Sequence, residues 1–169
     1  MIDRCGRNID YLRISVTDRC NLRCIYCMPE EGIRLTEREK ILQEPEIIRV
    51  CKVMAELGIT KIKLTGGEPL VRPRIPGLIR QIKEISGIEK VTLTTNGILL
   101  KDQMQNLADA GLDSLNISLD TLDEECFCKI TRRNLLEETL EGIREAMKYP
   151  EVQLKINCVP LGLEEQDLC

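Results

Sequence analysis

Five short segments in which polar and apolar residues alternate recur along the sequence, and amphipathic helical segments separate them. The predicted strands are 11–16, 61–65, 90–96, 114–120 and 152–159, and the predicted helices are 46–57, 75–85, 101–110 and 135–147. Strands that alternate with helices indicate β-α-β units and a parallel sheet. No linker or change of composition interrupts this order, so we expect one α/β domain.

The alternation inside the strands separates two arrangements of a parallel sheet. In an open doubly wound sheet, helices cover both faces, so central strands are almost continuously apolar. Here Leu12 and Ile14 face one side and Arg13 and Ser15 the other, and the remaining strands repeat this pattern. The polar face must therefore line a hydrated or ligand-filled space. A filled eight-stranded barrel has a branched apolar interior, so we expect a wider barrel or an open part-barrel.

Three cations lie on the predicted polar face, namely Arg13, Lys63 and Lys155. Cations that face a cavity are costly unless an anion pairs with them. An anionic small ligand such as a phosphate ester would pair with all three. The alternative is a wrong strand register that leaves the lysines in solvent, but five strands with the same phase favour the ligand.

Composition excludes several classes of function. The 169 residues contain no histidine, so Ser-His-Asp triads and His-ligated zinc are ruled out. The net charge of −4 and the 2% aromatic content disfavour nucleic-acid binding. No apolar export signal and no apolar run of membrane-spanning length occur, so we expect a cytoplasmic protein without a membrane partner. Its nine cysteines are then more often metal ligands or buried residues than disulfides.

Three cysteines directly follow the first predicted strand, in the spacing Cys20-x3-Cys24-x2-Cys27. Three thiolates on a short loop can ligate three irons of a [4Fe–4S] cluster and leave the fourth iron open to a small molecule. A structural zinc site would need a fourth ligand. The alternative of ordinary thiols does not explain this spacing at the end of a strand, where active sites of β-α folds lie.

The other cysteines carry weaker signals. Cys51 lies in the apolar stripe of a predicted helix and is expected in the core. Cys126 and Cys128 form a Cys-x-Cys pair to which we assign no metal role. No partner is predicted for Cys5, Cys158 and Cys169.

The cysteine triplet, with Tyr26 before its last cysteine, resembles the signature of the radical S-adenosylmethionine (SAM) superfamily. The resemblance implies an incomplete parallel (β/α)6 TIM-like barrel, with about five of its strands present here. It also implies that the open iron binds SAM, whose reductive cleavage generates a 5′-deoxyadenosyl radical. The segment Leu-Thr-Gly-Gly-Glu-Pro at 64–69 is similar to the superfamily motif that contacts the methionyl amino group. Standing alone, it could equally be a turn at a strand end.

Longer segments resemble the GTP 3′,8-cyclase family, which opens molybdenum cofactor biosynthesis. They are residues 13–29, 65–70, 94–97, 116–120, 130–133 and 155–157. The implied reaction abstracts hydrogen from C3′ of GTP and joins that carbon to C8, giving 3′,8-cyclo-7,8-dihydro-GTP. The implied site residues are Cys20, Cys24 and Cys27 for the cluster, Tyr26, Gly67 and Ser118 for SAM, and Arg13, Lys63, Thr94 and Lys155 for GTP. No residue is assigned a catalytic role.

Two departures from this family qualify the resemblance. Lys63 stands where the family usually has arginine, and lysine offers phosphate a point charge instead of a bidentate grip. The family is also about twice as long, and its second half carries another [4Fe–4S] cluster. We therefore expect residues 1–169 to be a truncated radical SAM core domain, with little activity alone. Its exposed edge strand favours oligomers, such as a homodimer.

Other functions remain open at this point. The chain could act on another substrate, such as a peptide, or be a non-catalytic iron–sulfur or zinc module. The three cations favour a nucleotide over a peptide. A radical SAM enzyme would also need an electron donor such as flavodoxin or ferredoxin.

Overall fold

The computed structural model describes residues 2, 4–163 and 166, so the prediction for Cys169 lies outside the described residues. The strands are β1 Tyr11–Ser15, β2 Lys61–Thr65, β3 Lys90–Thr95, β4 Ser114–Ser118 and β5 Gln153–Asn157. The helices are α1 Glu44–Glu56, α2 Ile75–Lys83, α3 Leu100–Asp109, α4 Glu124–Thr131 and α5 Leu136–Ala146, with short 3-10 turns at Arg38–Lys40 and Pro69–Val71. No helix within the described ranges is both long enough and apolar enough to cross a bilayer.

The five strands form one parallel sheet in the order β1-β2-β3-β4-β5. A doubly wound sheet reverses its strand order at a switch point, and this sheet does not. Consecutive parallel order is the arrangement of a β/α barrel. Because β1 and β5 are not paired with each other, the barrel is incomplete. The predicted incomplete TIM-like barrel is therefore confirmed.

The apolar face of the sheet forms the core together with the helices. Ile62, Leu64, Val91, Leu93 and Leu115 have no exposed surface and belong to one apolar cluster. Fully burying one such side chain contributes about 1.5–3 kcal/mol. This row of side chains therefore anchors the helices to one face of the sheet and leaves the opposite face free to line a site.

Burial differs between helix α1 and the edge strand β5. Cys51 is fully buried in α1, as predicted. Ile156 lies on the edge strand β5 and stays 48% exposed. Helix α1 begins at Glu44, two residues earlier than predicted. The Gln43 amide donates to Glu46 Oε2 at 2.7 Å in a capping box, which extends the first turn.

Helix α4 is absent from the sequence prediction. Its eight residues are too few to show a clear apolar stripe between two longer elements. The Asp123 carboxylate caps its first turn by accepting from the Cys126 amide at 2.7 Å. Cys126, Phe127 and Ile130 form its buried side. The end of this helix contacts the cysteine loop, residues 16–28, which follows β1 and carries Cys20, Cys24 and Cys27. Helix α4 therefore helps to shape the site.

Candidate functional site

A cavity of about 300 Å³ lies where the cysteine loop meets the carboxyl ends of β2 to β5. Seven of the ten predicted site residues line it, namely Cys20, Cys24, Tyr26, Cys27, Gly67, Thr94 and Ser118. They come from four separate parts of the sequence. The parallel topology brings them together because every strand ends at the same edge of the sheet.

The three predicted cluster ligands are free thiols on one wall of this cavity. Burial raises the pKa of all three thiols. It is the main cause of a pKa of about 11 for Cys24, and the neighbouring groups Cys27, Cys20 and Asp120 raise that pKa further. At neutral pH the thiols are therefore protonated unless a cation binds them. In the described part of the chain, no three His, Cys, Asp or Glu side chains gather around one metal position. A cubane cluster instead gives each thiolate its own iron, so the donor set fits that group.

Backbone hydrogen bonds shape the cysteine loop. The amides of Cys27 and Met28 both donate to the carbonyl oxygen of Cys24, at 2.9 and 3.1 Å, and form one tight turn. The Arg23 amide donates to the Thr131 carbonyl at 3.0 Å, and the Ile25 amide reaches the end of α4 in the same way. The loop is thus docked on α4, the helix that the sequence did not predict.

Two adjacent glycines at the end of β2 pack against the start of the same loop. The Gly67 amide donates to the Thr17 carbonyl at 2.7 Å, and the Glu68 amide donates to the Arg19 carbonyl at 2.7 Å. A Cβ atom on Gly67 would overlap the Arg19 carbonyl, and one on Gly66 would come within 2.5 Å of the Thr17 oxygen. The two glycines are therefore needed for close contact with another segment of this chain, residues 17–19. Gly67 also lines the cavity, and its contact with SAM remains a prediction.

Glu68 is a buried carboxylate to which the sequence analysis assigned no role. It is 1% exposed and accepts from the Leu70 amide at 3.0 Å, the Thr95 hydroxyl at 2.7 Å and the Asn96 amide at 2.7 Å. Burial raises the pKa of this carboxyl, although the three hydrogen-bond donors act to lower it. Asn96 in turn donates to Asn21 Oδ1 at 2.7 Å. Glu68 therefore ties the ends of β2 and β3 to the cysteine loop, and its place directly after the two glycines was the available signal.

Asp120 is the second residue without an assigned role. Its buried carboxylate accepts from the Tyr26 hydroxyl at 2.7 Å and from the Val159 amide at 2.9 Å. Burial and the bond to Asp120 raise the pKa of Tyr26, so the phenol stays protonated and donates. Asp120 thereby fixes the ring of Tyr26 beside the cysteines. Its position just past β4 was the signal, since residues there meet the site.

The three predicted lumen cations share the polar face of the sheet. The register pairs Arg13 with Lys63 and Lys155 with Asn116. Burial lowers the pKa of Lys63, and the charges of Arg13 and Lys155 lower it further. None of the three has a salt bridge among the residues that the structure describes. They do not line the 300 Å³ cavity but face one another on the same side of the sheet, where a polyanion would relieve their repulsion.

Replacing Lys63 with methionine should weaken polyphosphate binding and leave the ligand-free chain at least as stable. Loss of one hydrogen bond to a charged group, about 1.5–3 kcal/mol, predicts roughly ten- to hundredfold weaker binding of tripolyphosphate by calorimetry. The folded state binds fewer protons at Lys63 than the unfolded chain. The wild type should therefore gain stability as pH rises toward the ordinary lysine pKa of 10.5, and the variant should lack that gain.

The control for this prediction is Lys52→Met on the exposed surface of α1. It removes the same charge far from the polar face and should leave tripolyphosphate affinity unchanged. Equal affinities for the wild type and Lys63→Met would contradict an anion site at these cations.

The sequence is similar to a known protein family and to several characterised proteins. Residues 14–167 match the Radical SAM superfamily. A GTP 3′,8-cyclase of Peptoclostridium acidaminophilum is 51% identical over 162 residues, which cover 96% of this chain and 50% of that protein. Molybdenum cofactor biosynthesis protein 1 of Dictyostelium discoideum is 47% identical over 170 residues, covering 100% of this chain and 27% of that protein. The chain thus spans half or less of the length of these two relatives.

Solved structures share the fold at much lower identity. Streptococcus suis SuiB bound to precursor peptide SuiA matches 88% of this chain and 32% of its own, with a TM-score of 0.73 and 22% identity. Methylornithine synthase (PylB) matches 88% of this chain and 44% of its own, with a TM-score of 0.68 and 20% identity. These two likenesses establish the architecture alone.

Proposed function

The chain belongs to the radical SAM superfamily, and we propose that it is the cluster-bearing half of a GTP 3′,8-cyclase. The observation that carries the proposal is the convergence of the three cysteines, Tyr26 and Ser118 on one cavity. Beside it lies a polar face with three cations that have no salt bridge to any described residue. The high identity to named GTP 3′,8-cyclases supports the choice of substrate. In this role the protein would act in molybdenum cofactor biosynthesis and would take electrons from a donor such as flavodoxin or ferredoxin.

Cys20, Cys24 and Cys27 would hold a [4Fe–4S] cluster with one open iron. With SAM, such a cluster supplies one-electron cleavage of a carbon–sulfur bond and hence a hydrogen-abstracting carbon radical. The chain's contribution is to bind and orient. Tyr26, held by Asp120, would contact SAM from the cysteine loop, while Gly67 and Ser118 would contact it from the ends of two strands.

The cations would bind the triphosphate of GTP. Arg13 and Lys63 sit side by side across β1 and β2, and Lys155 faces them from β5. Charge-assisted hydrogen bonds to phosphate oxygens would offset the repulsion among them. Thr94 lines the cavity that holds the cysteines and would contact the substrate there. Leu22, Phe127 and Val159 line the cavity with apolar surface, which limits the water that could quench a radical.

The deciding experiment is anaerobic reconstitution of the chain with iron and sulfide. We expect an electron paramagnetic resonance signal of [4Fe–4S]⁺ after reduction, a change in that signal when SAM is added, and formation of 5′-deoxyadenosine. Stoichiometric zinc without iron would contradict the proposal and favour a zinc module.

The substrate is tested separately. The chain joined to the second half of a GTP 3′,8-cyclase should convert GTP to the 3′,8-cyclised product, whereas the 169 residues alone should cleave SAM without that conversion. SAM cleavage that GTP never couples to product, even in the joined protein, would indicate another substrate.

A further inference from the structure

Arg132 has a backbone conformation that arginine rarely adopts. It follows the last residue of α4 with a φ of 56°, and only Arg74 shares a positive φ among the described residues other than glycine. A left-handed backbone is unfavourable for a residue with a Cβ atom, and glycine is the usual residue at such a helix end. The contacts of the arginine side chain at this position are therefore of interest.

The Arg132 side chain holds both ends of the segment that carries two of the cysteines. Its Nη1 donates to the carbonyl oxygen of Arg23 at 2.9 Å and to that of Met28 at 3.0 Å. Cys24 and Cys27 lie between those two carbonyls. One guanidinium nitrogen thus spans the tight turn on which these thiols sit.

Further hydrogen bonds hold the cysteine loop in place. The carbonyls of Ile130 and Thr131 accept from the Ile25 and Arg23 amides, at 2.9 and 3.0 Å. The Arg23 side chain donates to the carbonyls of Cys20 and Leu22, each at 2.8 Å. Two guanidinium groups therefore satisfy four carbonyls of the cysteine loop, and the end of α4 supplies both the backbone partners and one of these groups.

We propose that Arg132 is a positioning residue that holds the 20–28 loop in its cluster-binding shape before iron arrives. Ligands fixed in advance lose less conformational entropy when the metal group binds, which favours loading and retention. Its hydrogen bonds to the Arg23 and Met28 carbonyls also place a positive charge beside this loop. The inference rests on the proposed cluster but is independent of the proposed substrate.

The test compares Arg132→Gly with Arg133→Ala. Glycine accepts a φ of 56° without strain, so this variant removes the two guanidinium hydrogen bonds together with the strain of a Cβ atom at this φ. Arg133 is exposed, and its side chain donates to the neighbouring Arg132 carbonyl at 2.9 Å and to no carbonyl of residues 20–28, which makes it a matched control. Hydrogen exchange in the metal-free chain should show the Arg23 and Ile25 amides exchanging roughly tenfold faster or more in Arg132→Gly. The amides of β3 should be unchanged, and Arg133→Ala should behave as the wild type.

Two measurements on reconstituted protein extend the test. Iron release to a chelator should be faster in Arg132→Gly, because the loop loses the donor that the Arg23 and Met28 carbonyls share. The cluster's midpoint potential should fall in Arg132→Gly, which loses a cation, and stay near the wild-type value in Arg132→Lys.

Three results would overturn the inference: unchanged exchange at Arg23 and Ile25, an equal effect of Arg133→Ala, or faster exchange spread evenly over the sheet. Failure of every variant and of the wild type to bind iron would instead count against the proposed function. The exchange data on metal-free protein would still decide the role of Arg132 in shaping the loop.

Discussion

Cys24→Ser should leave the reconstituted chain without a [4Fe–4S]⁺ signal and without 5′-deoxyadenosine formation. Cys24 anchors the backbone of the loop, because its carbonyl accepts both amides of the tight turn. Serine keeps that turn but offers a hydroxyl that is a poor ligand for iron beside thiolates. Iron and sulfide content, the resonance signal and product formation measure the outcome together.

The control is Cys128→Ser. Cys128 is exposed on α4 and does not line the cavity, so its replacement should leave the cluster signal intact. A Cys24→Ser protein that retains a full signal would show that the triplet does not ligate the cluster. An equal loss in both variants would point to nonspecific damage by serine.

Gly67→Ala should be the most destabilising single methyl addition near the site. The new Cβ would overlap the Arg19 carbonyl, so either the end of β2 or the cysteine loop must move. Overpacking of this kind costs about 1–3 kcal/mol, which lowers the Tm of a domain this size by roughly 2–12 °C. Because the displaced loop carries the cysteines, cluster content should fall as well.

Gly77→Ala is the matched control for this change. Gly77 lies within α2, and a Cβ there meets nothing closer than Glu44 Oε1 at 3.8 Å. Alanine should instead stabilise the helix by up to about 1 kcal/mol. The packing explanation would be wrong if Gly67→Ala kept wild-type Tm and cluster content, as measured by calorimetry and iron analysis.

The strand phase was the most productive part of the sequence. Alternation in five strands predicted which side chains share a face. In the structure Arg13, Lys63 and Lys155 lie close together, so the charges of Arg13 and Lys155 add to burial in lowering the pKa of Lys63. Period-two geometry makes this inference robust, because a strand can present a residue only to one face or the other. The cysteine spacing was equally local, since all three thiols lie within eight residues.

Contacts between distant segments could not be predicted in the same way. Nothing near Glu68 in the sequence indicated that it binds Asn96, and nothing near Asp120 indicated that it binds Tyr26. In the same way, no local feature paired Arg132 with the carbonyls on either side of Cys24. Such pairs join residues up to 109 positions apart. A hydrogen bond at that separation exists only after the strands and helices have packed.

The sequence by itself determined the β/α order and the apolar and polar faces of the sheet, and it predicted three cysteines as the metal ligands. These features depend on short-range periodicity and spacing, which the chain carries before it folds. Only the tertiary structure decided why the glycines at 66–67 are required and how α4 shapes the cysteine loop. Both depend on steric exclusion and hydrogen bonding between segments that meet where the parallel strands end.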